Sequence, residues 1–148
     1  LVNRDFKWEK ASNRLRANLL VQRGRVELTS DVLKRLHKML KASDPLEVSS
    51  ALYAVGEIAR FYSEKDSAAF DCHAELQKLL AILIKNVDHP HELVRKQACL
   101  ASKKIRNKNW EFHFTEAVSQ LSGEAAKADL QRYYFDGEAV SLESQIAK

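Results

Sequence analysis

The chain is poor in the residues that break helices. It holds 4 glycines and 2 prolines in 148 residues. Few tight turns can be built from that, so a strand-and-hairpin architecture is excluded in favour of helices. It is also poor in cysteine, with only Cys72 and Cys99, far apart and without a CxxC. A disulfide scaffold and a thiolate zinc site are thereby excluded, and two reduced, buried thiols are expected. Long apolar runs are missing too. The longest, Leu79-Leu80-Ala81-Ile82-Leu83-Ile84, is far too short to span a bilayer. No signal-peptide pattern opens the chain, and it begins at Leu1 rather than Met, which points to a piece of a longer protein.

What is present is the balance of a globular protein, with 45% apolar and 30% charged residues. The length fits one domain with a sizeable core. The net charge of +4 is unevenly spread. Residues 1 to 41 hold eleven basic against four acidic side chains, and residues 115 to 148 hold six acidic against three basic ones. A basic front and an acidic tail call for an acidic partner, or for contact between the two ends.

Apolar spacing predicts a series of helices. The first covers about residues 5 to 21, with Gly24 interrupting the pattern. Thr29-Ser30-Asp31 reads as an N-cap before the stripe Val32, Leu33, Leu36, Met39 and Leu40. Ser43-Asp44-Pro45 stops that helix and starts the next, because proline is tolerated where a first-turn N–H has no partner anyway. Val48, Leu52, Val55 and Ala59 form its buried face. After a polar break at residues 63 to 67 comes a helix over residues 74 to 87. A second break at Asp88-His89-Pro90-His91 precedes the stripe Val94, Ala98, Ala101 and Ile105. Trp110, Phe112 and Phe114 follow as an aromatic cluster, and two weaker helical patterns occupy the tail.

Two segments superimpose at an offset of 46. Val48, Leu52, Val55, Gly56 and Ala59 fall on Val94, Ala98, Ala101, Ser102 and Ile105, and Leu33 and Leu36 fall on Leu79 and Ile82. A helix pair cannot bury both apolar faces alone, so such units stack side by side. The period falls in the HEAT/armadillo range. The expected fold is an all-α HEAT/armadillo-type stack over residues 1–117, followed by a helical or partly disordered extension over residues 118–148.

The sequence shows no catalytic constellation. There is no glycine-rich phosphate loop and no nucleophile–base arrangement. His89-Pro90-His91 is the sole metal-like pattern, and two histidines at i, i+2 without further ligands read as a turn. Carboxylates such as Glu92 stand at helical spacing from lysines such as Lys96, as on solvated faces. No enzyme activity, cofactor or metal is expected. The basic front, with Phe6 and Trp8 interleaved, leaves nucleic-acid binding as a minor alternative.

Two segments carry a family resemblance. Val55-Gly56-Glu57-Ile58-Ala59-Arg60-Phe61-Tyr62 resembles the V-G-E-x-x-R-x-Y stretch of the regulatory H-type component of the vacuolar-type proton-pumping ATPase (V-ATPase). Val94-Arg95, Ala98, Leu100-Ala101, Lys104 and Asn109-Trp110-Glu111 resemble the last helical repeat of the same component. Upstream, Trp8 with Arg14-Leu15 is similar to its W-x-x-x-x-x-R-L helix. The resemblance covers roughly residues 6 to 114 and looks like a divergent C-terminal domain. Residues 16 to 30 are longer than in the family, a glycine pair is replaced by residues 68 to 72, and residues beyond 118 pass its usual end.

The resemblance implies a non-catalytic regulatory role on the cytosolic face of vacuolar or other acidic-organelle membranes, with no direct membrane insertion. The implied partners are other subunits of the pump: the stator arm, the rotor and catalytic subunits, and the peripheral stalk. Such a domain couples or inhibits ATP hydrolysis by steric and electrostatic contact. A generic helical-repeat adaptor is the alternative. The contact points expected are the inter-repeat loops, with Asp44, Glu47, Asp88, His89 and His91, and the basic first helix, with Arg14 and Arg16. The motif residues Trp8, Gly56, Glu57, Arg60, Tyr62, Arg95, Asn109 and Trp110 are expected to be structural, Glu57 and Arg60 by ion pairing or capping at a repeat interface.

Overall fold

A computed structural model describes residues 7–121 and 123–135. Its regular elements are all helical. A 3-10 turn, Trp8–Lys10, leads into α1 (Asn13–Val26), α2 (Ser30–Leu40), α3 (Pro45–Lys65), α4 (Ser67–Cys72), α5 (Ala74–Asn86), α6 (Glu92–Lys103), α7 (Lys108–Val118) and α8 (Glu124–Asp129), with a final π turn at Leu130–Tyr134. Every helix from α1 to α7 has a side-chain N-cap: Ser12, Thr29, Asp44, Asp66, His73, His91 and Asn107 each accept a first-turn backbone N–H. These caps satisfy donors that have no partner inside a helix.

The sequence repeat corresponds to two helix pairs, α2/α3 and α5/α6. The pairs begin at Ser30 and Ala74, and their second helices at Pro45 and Glu92, which brackets the 46-residue offset. All eight inner stripe positions, Val48, Leu52, Val55, Ala59, Val94, Ala98, Ala101 and Ile105, are buried. Three helices form the inner layer, with α3 packed between α1 and α6. Along α1 and α3 the contacts ascend together, from Arg16 with Glu47 to Gly24 with Ile58. Along α3 and α6 they ascend from Gly56 with Ala101 to Ser63 with Arg106. The three inner helices therefore run parallel, and α2 and α5 pack on them as an outer row.

Glycine decides how closely the inner helices approach. A Cβ on Gly56 would lie 2.7 Å from the Ala101 Cβ and 2.9 Å from its Cα, so the α3–α6 crossing leaves no room for a side chain. Gly24 is the counterpart between α1 and α3, where a Cβ would stand 2.6 Å from Ile58 Cδ1.

Several expectations require correction. The first helix is displaced toward the C-terminus, and Gly24 lies inside it rather than breaking it. Residues 5 and 6 of that expected helix lie outside the described residues. Glycine costs a helix roughly 1 kcal/mol, but here the missing side chain makes room for Ile58, and the Gly24 carbonyl oxygen accepts from the Tyr62 hydroxyl. Residues 63 to 65 continue α3, and the short α4 was not anticipated. The aromatic cluster lies on a helix, α7, which splits it: Trp110 and Phe114 are buried, while Phe112 is 70% exposed. Cys99 is buried but Cys72 is exposed. Glu92 and Lys96 form no ion pair; the Lys96 ammonium sits 5.2 Å from the Tyr133 ring instead.

Of the expected extension, residues 118 to 135 are described apart from 122, and they pack on the helices before them. Val118, Ala126 and Leu130 are buried, and α8 and the π turn lie against α6. Residues 136–148 lie outside the described residues. No helix among the described residues is long and apolar enough to cross a membrane.

Candidate partner-binding surfaces

Most of the motif residues lock one helix to another. Glu57, on α3, receives Lys104 at 3.0 Å from the end of α6 and Arg25 at 3.5 Å from α1, so one carboxylate joins all three inner helices. The Tyr62 hydroxyl donates to the Gly24 carbonyl oxygen at 2.6 Å. Burial, and to a lesser extent Glu27, holds this phenol above its usual range. Arg95 donates to Asp129 of α8 and to the carbonyl oxygens of His89 (3.0 Å) and Pro90 (2.9 Å), so it ties the loop before α6 to the tail. Arg95 and Asp129 are both largely buried, which gives the pair a strength that exposed ion pairs lack.

Asn109 and Asn107 clamp Asp71 of α4. Their side-chain amides donate to its two carboxylate oxygens at 2.9 and 3.0 Å. Asn107 also caps α7 by accepting from the Trp110 backbone N–H. Trp110 is 4% exposed and packs on Phe114, with ring centroids 5.5 Å apart. Arg60 does not pair with Glu57. It bonds Glu64 one turn on, on the exposed side of α3, and that hydrogen bond is the main reason its guanidinium is held above the ordinary value. Trp8 lies under the Arg35 guanidinium, 4.4 Å from its ring centre.

The loop candidates gather at one end of the molecule. Because α1, α3 and α6 run parallel, their N-termini lie together, and Arg14, Arg16, Asp44, Glu47, His89 and His91 all belong to those starts. Arg16 reaches Glu47 at 3.7 Å, joining α1 to α3. Asp44 is exposed and its carboxylate caps α3. Asp88 is exposed, its carboxylate beside Gly123.

The two histidines of the metal-like pattern are used as hydrogen-bond acceptors. His91 Nδ1 accepts from the Leu93 N–H at 3.1 Å, and His89 Nδ1 accepts from the His91 N–H at 2.9 Å. Burial, then the neighbouring His91 and Arg95, pushes the His89 imidazolium below its usual range. Among the described residues no three His, Cys, Asp or Glu side chains are gathered to hold a metal.

Sequence reasoning did not find the main concave feature. Two adjoining cavities, of about 760 and 560 Å³, share Tyr53 and Gln97 and form one groove across the inner layer. It starts at Arg14 on α1, crosses Leu46 and Tyr53 on α3, and ends at Lys104, Arg106 and Phe135. The available signal was Tyr53 itself, an aromatic residue set between the buried positions Leu52 and Ala54. No protein-family model, no curated protein and no solved structure matches the chain.

Proposed function

We propose that the chain is a HEAT/armadillo-type helical-repeat domain that holds protein partners and performs no chemistry itself. In the narrower form of this reading it is a regulatory element of a rotary proton-pumping ATPase, similar to the C-terminal domain of the H-type component of the vacuolar pump. One observation carries the proposal: the residues behind the resemblance are chiefly those that lock helix on helix. Gly56 lets α3 meet α6, Glu57 joins three helices, Tyr62 ties α3 to α1, and Asn109 holds α4. A motif of that kind specifies a rigid body rather than a reaction. A rigid stack whose loops gather at one end suits a part braced between two others, where it couples or blocks their movement.

The nucleic-acid alternative gains little from the geometry. Arg16, Arg23, Arg25 and Arg35 of the basic front are engaged by Glu47, Asp31, Glu57 and Asp31 respectively. One face of Trp8 is covered by Arg35. The stator arm, rotor and catalytic subunits are the proposed partners, at the cytosolic face of an acidic organelle.

The test is a pull-down of the purified ATP-hydrolysing sector with this chain, paired with a hydrolysis assay. Binding together with a fall in hydrolysis is expected. No binding and unchanged hydrolysis would remove the pump from the proposal.

A further inference from the structure

The groove on the inner layer has a chemistry of its own. We propose that it is a docking cleft for an acidic segment of a partner protein, one whose carboxylates flank an apolar side chain. This rests on the reading of the chain as a partner-holding domain and names the face and the chemistry.

Apolar surface lies along the groove: Leu46 is 58% exposed and Tyr53 37% exposed, both on α3. Its ends are cationic. Arg14 stands at one end and Arg106 at the other, and neither side chain has an ion-pair partner among the described residues. The arginines at the packed interfaces differ, since Arg16, Arg25 and Arg95 all meet carboxylates. Lys104 adds charge in a fixed position, held by Glu57 at 3.0 Å and lying 4.3 Å from the Tyr53 ring centre. Glu111 is the one carboxylate in the lining among the described residues.

The groove also offers hydrogen bonds, since the Gln97 side chain lies where its two halves meet. An extended or helical segment with an apolar anchor over Tyr53 and acidic residues toward Arg14 and Arg106 satisfies all of these. A nucleic acid fits less well, because its backbone calls for a row of free cations, and here Lys104 is held by Glu57 and the Glu111 carboxylate stands in the lining.

The test selects a random dodecapeptide display library on the full chain, then measures the consensus peptide by fluorescence anisotropy. Enriched peptides with acidic residues flanking an apolar one are expected. Their Kd is expected to rise at least about tenfold in Arg14→Glu/Arg106→Glu, and again in Tyr53→Ser, with helix content and Tm unchanged. Binding should weaken as salt rises to about 0.5 M, where charges are screened within a few ångströms. No enrichment, enrichment of basic or neutral peptides, or binding that survives the double reversal overturns the proposal. So does an oligonucleotide that binds more tightly than the peptide. Binding that strengthens at least about tenfold in Asp136→Asn/Glu138→Gln/Glu143→Gln makes the chain's own tail the occupant and overturns it as well. If the double reversal leaves capture of the ATP-hydrolysing sector intact and peptides do not bind, the groove inference fails alone. If peptides bind and the sector does not, the pump assignment fails and the groove stands.

Discussion

Gly56 shows how much a single missing methyl group decides. Alanine there is the better helix former by about 1 kcal/mol. Its Cβ would nevertheless sit 2.7 Å from that of Ala101 and 2.9 Å from the Ala101 Cα, which is backbone and not the end of a flexible side chain. Overpacking of this kind costs about 1–3 kcal/mol. Gly56→Ala is therefore expected to destabilise the fold, read as a lower midpoint in urea with an unchanged slope, and Ala101→Gly should recover part of the loss. The cysteines separate just as sharply. Cys72 is exposed, while burial pushes the Cys99 thiol up to about 12. A thiol reagent at neutral pH is expected to modify one cysteine quickly, and the second only in denaturant. Two equally fast cysteines would contradict the burial of Cys99.

At the scale of elements, the connections between helices carry much of the order. Arg95 of α6 secures α8 through Asp129 and also holds two loop carbonyls. Removing one partner of a largely buried pair strands the other charge, at a cost of about 3–5 kcal/mol. Arg95→Ala is expected to lower stability by that order and to free residues 124 to 135 for proteolysis. Arg95→Met combined with Asp129→Leu should cost much less. The loop before α6 also responds to pH. The His89 imidazole is held below its ordinary value of 6.5, so the unfolded chain binds this proton first as pH falls. Its contribution is complete above about that value and is lost as pH drops toward the depressed folded one. Thermal unfolding from pH 7.5 down to 5 should show a fall in Tm that His89→Asn makes shallower.

For the molecule as a whole, the parallel run of α1, α3 and α6 is the decisive arrangement. It places three helix starts and their loops at one end, and it leaves a groove across the layer they form. Stiffness comes from locks that each span two or three helices. Double-mutant cycles across Glu57 with Arg25 and Lys104 should therefore be non-additive. On the proposed reading, Glu57→Gln should weaken capture of the ATP-hydrolysing sector, although Glu57 pairs only within the chain. Measuring that capture beside stability separates a loss of rigidity from a loss of contact.

Much of the architecture was legible in the residues. The i, i+3, i+4 stripes, the caps at Thr29 and Asp44 and the 46-residue offset mark the two helix pairs, because burial of one face and satisfaction of first-turn donors are local requirements. What the residues alone left open were properties set by distant neighbours. Gly24 looks like a helix break until Ile58 and Tyr62 are seen to press on it. Glu57 and Arg60 look like a pair along α3, yet Glu57 turns to α1 and α6 while Arg60 faces outward. Tyr53 reads as one more residue of a helix until α1 and α6 flank it and make it the middle of a groove. Local sequence determines where helices start, stop and bury a face. Only the packing of residues some forty positions apart decides which side chains lock, which face solvent, and where the groove lies.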